Sequence, residues 1–249
     1  MPMLPAASTP SRRIGSPVET HYQGTGYAAI APFFIQELAL STMEFSDSGE
    51  ITMRTYLSMN YLTGAALLTK KAYSLEIDHR SKQWYGPAVL AEHHAFATSA
   101  IMMSAAAVEA FVNELFAECR DRPDRNHLRI GRDKATFVAR VWADVPKVEL
   151  APVMEKYDLA LRLLDLPALD TKGVRYKAAA ALFALRNRLM HYKMVTQDPD
   201  KESSEQQAAD FERRFQMYFA DNPLTGNGNP YFPDRVIGHG AAVEVRSLC

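Results

Sequence analysis

The chain has 249 residues, with 28 Lys and Arg against 29 Asp and Glu for a formal net charge of −1, and is 47% hydrophobic and 23% charged. This is the composition of a soluble globular protein with a substantial core, and it supplies no global positive field, which counts against a dedicated high-affinity nucleic-acid binder and makes any RNA contact a local one. The two cysteines, Cys119 and Cys249, form neither a disulfide framework nor a zinc site, no run approaches the roughly 18 to 20 apolar residues of a membrane span, and the N-terminus lacks a signal-peptide apolar core, so a cytoplasmic protein is expected.

In chain order, residues 1–26 are rich in Pro, Ser, Thr and Gly and read as a disordered or loosely docked tail. Residues 27–249 read as a single domain with an N-terminal extension. Tyr27 to Phe45 is apolar with Pro32 interrupting, and Ser46-Asp-Ser-Gly is a turn signal; the region is either a short β-hairpin or two helical pieces. From about Thr52 to Ile77 the pattern is helical, with Leu57, Tyr61, Leu68 and Tyr73 on the apolar side and Lys70 and Lys71 outside. Gly64 weakens this helix slightly. Gly86-Pro87 breaks the chain before a long helix, about Ala88 to Arg120. Near its start, His93 and His94 have Ala97 and Thr98 at their i+4 positions, so no metal site is built locally. Cys119 reads as a small core residue.

Arg120 to Lys134 mixes Arg120, Arg122, Arg125, Arg129, Arg132 and Lys134 with Asp121, Asp124, Asp133 and His127. It reads as a solvated, self-neutralising connection, the alternative being a phosphate-contacting rim. Ala135 to Val141 is helical or extended, Asp144 to Pro152 a connection, and Glu155 to Leu164 an amphipathic helix closed by Leu166-Pro167. Thr196 to Gln207 is a polar linker, followed by a helix over Ala208 to Phe219 whose Phe211, Phe215 and Phe219 form a core row at i, i+4 and i+8. Asn222 to Asp234 is turn-rich; its G-N-G-N lacks the Lys-Ser/Thr ending of a phosphate loop. Arg235 to Cys249 is a final helix or strand. The expected fold is an all-α bundle of about five to seven helices, with a small β-hairpin near the N-terminus as the open alternative.

The most informative stretch is Ala178 to Lys193, AAAALFALRNRLMHYK, which has neither Gly nor Pro and reads as a helix. At about 100° per residue, Leu182, Phe183, Leu185, Leu189 and Met190 gather on one side and Ala180, Ala184, Asn187 and His191 on the other. Arg186 projects from the middle of the apolar side, where an unpaired guanidinium is costly to desolvate, so it needs a partner. In Ser99 to Glu118, Ile101, Ala105, Val108, Val112, Leu115 and Phe116 form the apolar stripe and Glu109 lies on its margin. A Glu109–Arg186 ion pair across the contact of the two helices satisfies both charges. Such a pair either serves a site or only fixes the register of the two helices.

Arg186 to His191, R-N-R-L-M-H, resembles the signature of the HEPN superfamily (higher eukaryotes and prokaryotes nucleotide-binding): an Arg, often followed by Asn, and a His after a gap of four to six residues. The gap here is four and the Asn is Asn187. The run Glu109, Ala110, Phe111, Asn113, Glu114 is similar to the E-A-F-x-N-E-like run of many members, and the resemblance extends over about Asn60 to Phe219. It implies a homodimer with two copies of the motif at its interface, and a metal-independent RNA endonuclease of toxin or phage-defence type that needs no cofactor. RNA rather than DNA would be the substrate, with an antitoxin or other regulatory protein as a further partner and no membrane association. In that chemistry a ribose 2′-OH attacks the adjacent phosphodiester, leaving a 2′,3′-cyclic phosphate and a 5′-OH. His191 would be the general acid or base, Arg186 would hold the phosphate, Asn187 would position groups and Glu109 would orient Arg186. The alternative is a non-catalytic HEPN module that binds a nucleotide or protein or only dimerises. Arg186 and His191 project roughly 140° apart on a regular helix, so one protomer brings them together only where the helix distorts or the long Arg curls round; otherwise two protomers could supply each other's missing partners.

Overall fold

The computed structural model describes residues 41–45, 51–82, 86–192, 202–226 and 228–243; the expected tail over 1–26 and the Ser46–Gly49 turn lie outside them. A two-stranded antiparallel hairpin, β1 (Ser41–Phe45) and β2 (Ile51–Thr55), precedes seven helices: α1 (Leu57–His79), α2 (Pro87–Asp121), α3 (Arg132–Asp144), α4 (Val153–Leu163), α5 (Val174–Met190), α6 (Glu202–Phe215) and α7 (His239–Val243). A single 3-10 turn, Val148–Leu150, interrupts the α3–α4 connection, and a wide helical turn spans Tyr231–Arg235. The architecture is an all-α bundle.

The hairpin decides the N-terminal alternatives for Ser41 to Phe45, residues 27–40 lying outside the described ones, and moves the start of α1 from Thr52 to Leu57. The register pairs Phe45 with Ile51, Met43 with Met53 and Ser41 with Thr55, so Thr52 to Thr55 belong to a strand. The β-branched Ile51, Thr52 and Thr55 favour that conformation over a helical one. The expected linker before α6 is also shorter, because Glu202 to Gln207 are helical; Thr196 to Lys201 lie outside the described residues. Phe219 falls beyond the end of α6 but keeps its place in the core, 2% exposed. Within the last segment His239 to Val243 form a helix rather than a strand, residues 244–249 lying outside the described ones.

α2 is the axis of the bundle, packed by α1, α3, α4, α5 and α7. Contrary to the sequence expectation, it holds an 18-residue window apolar and long enough to cross a membrane. In this fold two clusters use that apolar surface. Ala97, Ala100, Ile101 and Ala105 pack with Ala72 of α1, Leu182 and Leu185 of α5, and with Phe215, Phe219, Val236 and Ile237. Farther along, Val112, Phe116 and Cys119 pack with Ala135 and Val138 of α3 and Val153 and Ala160 of α4. Phe183 of α5 touches both clusters.

α1 buries only part of the face expected: Leu68 packs against the core and Tyr61 is half-buried. Leu57 and Tyr73 are 45% and 47% exposed, and the buried positions are Ser58, Ala65, Thr69, Ala72 and Glu76. The cause is the closeness of α2: a Cβ at Gly64 would sit 2.3 Å from the Met103 methyl, and small residues are what allow helix axes to approach. Large side chains are displaced to the flanks.

Two carboxylates are buried along this hairpin of helices. Glu76, 1% exposed, accepts from His93 Nε2 at 2.7 Å, from the His239 backbone N–H at 2.9 Å, and from His239 Nδ1. Glu118, also 1% exposed, accepts from the Tyr56 hydroxyl at 2.6 Å and from Arg54 at 3.2 Å, with His127 Nδ1 at 3.1 Å. Burial pushes the Glu76 carboxyl upward, but the hydrogen bonds from His239 and His93 and the charge of His239 prevail and bring it down to about 2. Because the unfolded carboxyl protonates near its ordinary 4.5 and the folded one near about 2, this stabilisation is complete above the first value and is lost as pH falls toward the second. Urea unfolding midpoints should therefore fall across that window. Glu76→Gln should cost about 3 kcal/mol at neutral pH and flatten the acid limb.

Candidate functional site

α5 begins after Gly173, whose φ of −64° and ψ of 148° set the entry, and continues through a run of alanines with high helix propensity. It stops at His191, where φ is −108° and ψ 42°, although the His191 N–H still donates to the Asn187 carbonyl at 2.9 Å. The expected helix through Lys193 therefore ends three residues earlier, and His191 is the capping residue. Both Asn187 and His191 are exposed. Met190, placed by periodicity on the core stripe, is instead 55% exposed, because the helix is ending and none of the described residues covers its last turn on that side.

Glu109 and Arg186 are brought together as the sequence suggests. Arg186 Nη2 donates to Glu109 Oε2 at 2.7 Å across the α2–α5 contact. The guanidinium also lies 5.7 Å from the Phe183 ring centroid and 3.8 Å from Met190 Sδ. The pair is not in the core, however: the two side chains are 21% and 38% exposed, placing it at the edge of the bundle. In that setting it is worth about 1 kcal/mol, enough to orient the guanidinium but a small part of the stability.

The rest of the E-A-F-x-N-E-like run on α2 is a docking row. Asn113 Oδ1 accepts from Lys156 of α4 at 2.9 Å, and the Phe111 ring is stacked on Tyr157 at 6.5 Å. Glu114 accepts from the Ser58 N–H at 2.9 Å and from its hydroxyl at 2.5 Å. Since the residue capping α1, Tyr56, offers no side-chain cap, Glu114 serves instead from another helix.

Arg188 escaped notice in the sequence. Its guanidinium carbon stands 4.2 Å from the Phe211 ring centroid and 4.9 Å from that of Phe232, and the Phe232 ring is also 6.1 Å from the ring of Tyr192. Among the described residues no carboxylate forms an ion pair with Arg188. The available signal was its i, i+3 relation to His191; what could not be foreseen is that α6 and the 231–235 turn would deliver two rings to it.

Other candidates separate clearly. Burial, and next the charge of Glu118, push the Cys119 thiol up to about 11, so it is a protonated core residue. His93 is fully buried on Glu76, while burial and then the neighbouring His93 lower the pKa of His94 against the pull of Asp234. Three cations of the basic connection after α2 are paired, Arg120 with Asp121, Arg132 with Asp124 and Lys134 with Asp165 of the later α4–α5 connection. Asn126 shapes it by exchanging hydrogen bonds with the Ile130 backbone at 2.7 and 2.8 Å. Among the described residues no group of three His, Cys, Asp or Glu is arranged to hold a metal ion. A groove of about 410 Å³ between α1 and α2, floored by Leu67, Leu75 and Phe96, includes no residue of α5.

No family model, curated protein or solved structure matches the chain.

A double-mutant cycle on Glu109→Gln and Arg186→Gln, read by urea unfolding, should give a coupling of about 1 kcal/mol. Each single variant should remain folded, since neither charge is left fully buried.

Proposed function

We propose that the protein is an endoribonuclease of HEPN type, in which His191 and Arg186 cleave RNA by attack of a ribose 2′-OH on the adjacent phosphodiester. The observation that carries this reading is the placement of the motif: Arg186 is held by Glu109 at the edge of the bundle, and His191 stands in solvent where α5 stops. A polymeric substrate needs such an open surface rather than an enclosed pocket. His191 exchanges the proton, taking it from the 2′-OH or giving it to the leaving 5′-oxygen, the general acid–base work that imidazole side chains most often do. The Arg186 guanidinium, oriented by Glu109, stabilises charge growing on the phosphoryl oxygens, and Asn187, exposed one turn before His191, supplies hydrogen bonds to the ribose or phosphate. Because Arg186 and His191 leave the helix in different directions, a second copy of the chain completes the site in a homodimer. An antitoxin or other regulatory protein would act by covering this end of α5.

A second reading is favoured by the same ion pair. Glu109 neutralises Arg186, and together they fix the register of α5 on α2; a module that binds a nucleotide or protein, or only dimerises, needs no more than that.

Cleavage of a mixed RNA pool in EDTA separates the two. The ribonuclease reading expects cyclic-phosphate ends, with kcat lowered by about 100-fold or more in His191→Ala and by a similar factor in Arg186→Ala, while both variants stay dimeric. Folded, dimeric wild type that leaves every RNA intact would favour the binding module.

A further inference from the structure

We infer that Arg188 is a substrate-binding residue of this site, holding a phosphate of single-stranded RNA on the His191 side of α5 while Tyr192 stacks on the adjoining base. The inference rests on the ribonuclease reading above and adds residues that the motif does not contain.

Direction is the first argument. Three residues separate Arg188 from His191, so the two project about 60° apart on the helix, against roughly 140° for Arg186. His191 still belongs to the helix at its backbone N–H, which donates to Asn187 at 2.9 Å, so this relation holds up to the cap. Among the described residues of the last turns of α5, the cation on the His191 side is Arg188.

Charge is the second. Arg186 is paired with Glu109 at 2.7 Å, whereas Arg188 has no carboxylate partner among the described residues. Its contacts are ring faces, Phe211 at 4.2 Å and Phe232 at 4.9 Å. Cation–π contact holds the plane of a guanidinium but does not neutralise it, and it uses none of the N–H donors at its edge, which serve the forked hydrogen bonds that phosphate oxygens accept. The rings thus pre-orient a cation that a carboxylate would have quenched.

The third argument is the aromatic beside it. Tyr192 is 58% exposed and its ring lies 6.1 Å from Phe232, the ring that also carries Arg188. An exposed aromatic next to an un-neutralised arginine is the combination that binds single strands: the ring takes any base, and the guanidinium takes the backbone. A duplex keeps its bases stacked on each other and has none to offer.

The competing role for Arg188 is a tether that fastens α6 and the 231–235 turn to α5. The deciding experiment uses the full chain with Arg188→Gln, Arg188→Lys and Tyr192→Ala. Binding is measured by fluorescence anisotropy of a labelled 2′-O-methyl oligonucleotide, which cannot be cleaved, and of its duplex, over a range of salt. Cleavage of the matching RNA and thermal unfolding are measured beside it. Arg188→Gln should weaken single-strand binding and raise KM by about tenfold with kcat nearly unchanged, and should make the salt dependence shallower by about 0.7 in log–log slope. Arg188→Lys should recover much of the slope, and Tyr192→Ala should weaken single-strand binding while sparing any duplex binding. A folded Arg188→Gln protein with wild-type KM and slope overturns the inference and leaves the ribonuclease reading standing. So does a lowered melting temperature with unchanged affinity, which would mark a tether. Wild type that neither cleaves nor binds overturns both.

Discussion

The fold depends on placing ionised carboxylates inside a helix pair and surrounding each with donors from elsewhere in the chain. Glu76 of α1 and Glu118 of α2 are each 1% exposed, and neither could be buried as an isolated charge. Every donor they recruit fixes another element. Glu118 draws in Arg54 and Tyr56 from the end of the β-hairpin and His127 from the connection after α2. Glu76 draws in His93 from α2 and His239 from α7. Apolar packing supplies the larger share of the stability, but apolar contact is non-directional, and it is these carboxylates that determine where the hairpin and the last helix attach.

The C-terminal turn of α5 is organised by different rules. Its charges remain near water, so they are inexpensive to keep and available to a ligand. Arg186 faces α2 and is spent on Glu109, while Arg188 faces α6 and is held by rings. His191 lies between these two sides, at the residue where the helix stops. The functional proposals rest on that division of one helical turn into a neutralised side and a cationic side.

Periodicity was a good guide where helices meet through large side chains. Ile101, Ala105, Val112 and Phe116 of α2 are all fully buried, and the Glu109–Arg186 pair follows from two charges on facing stripes. On α1 it placed Leu68 but missed the buried centre, because periodicity ranks positions by apolar bulk, and the face nearest α2 is built from Ala65, Thr69, Ala72 and the carboxylate Glu76. It failed again at Met190, because a stripe carries no information about where its helix loses its neighbour. Glu76 and His239 are 163 residues apart, and no local pattern links a lone glutamate on one helix to a histidine that distant. Arg188 was overlooked for the same reason: its partners, Phe211 and Phe232, arrive from two later segments.

The attachment of α7 sets an order of events during synthesis. A five-residue helix has no stability of its own, so α7 forms only against the rest of the bundle. Until His239 leaves the ribosome, the α1–α2 pair carries a carboxylate with most of its donors missing, and its closed state is penalised accordingly. Domains emerge N-terminal part first, yet here α1 waits for α7. The nascent chain therefore completes this core only after His239 has been made, so the end of α5 acquires its final surroundings well after α5 itself has emerged.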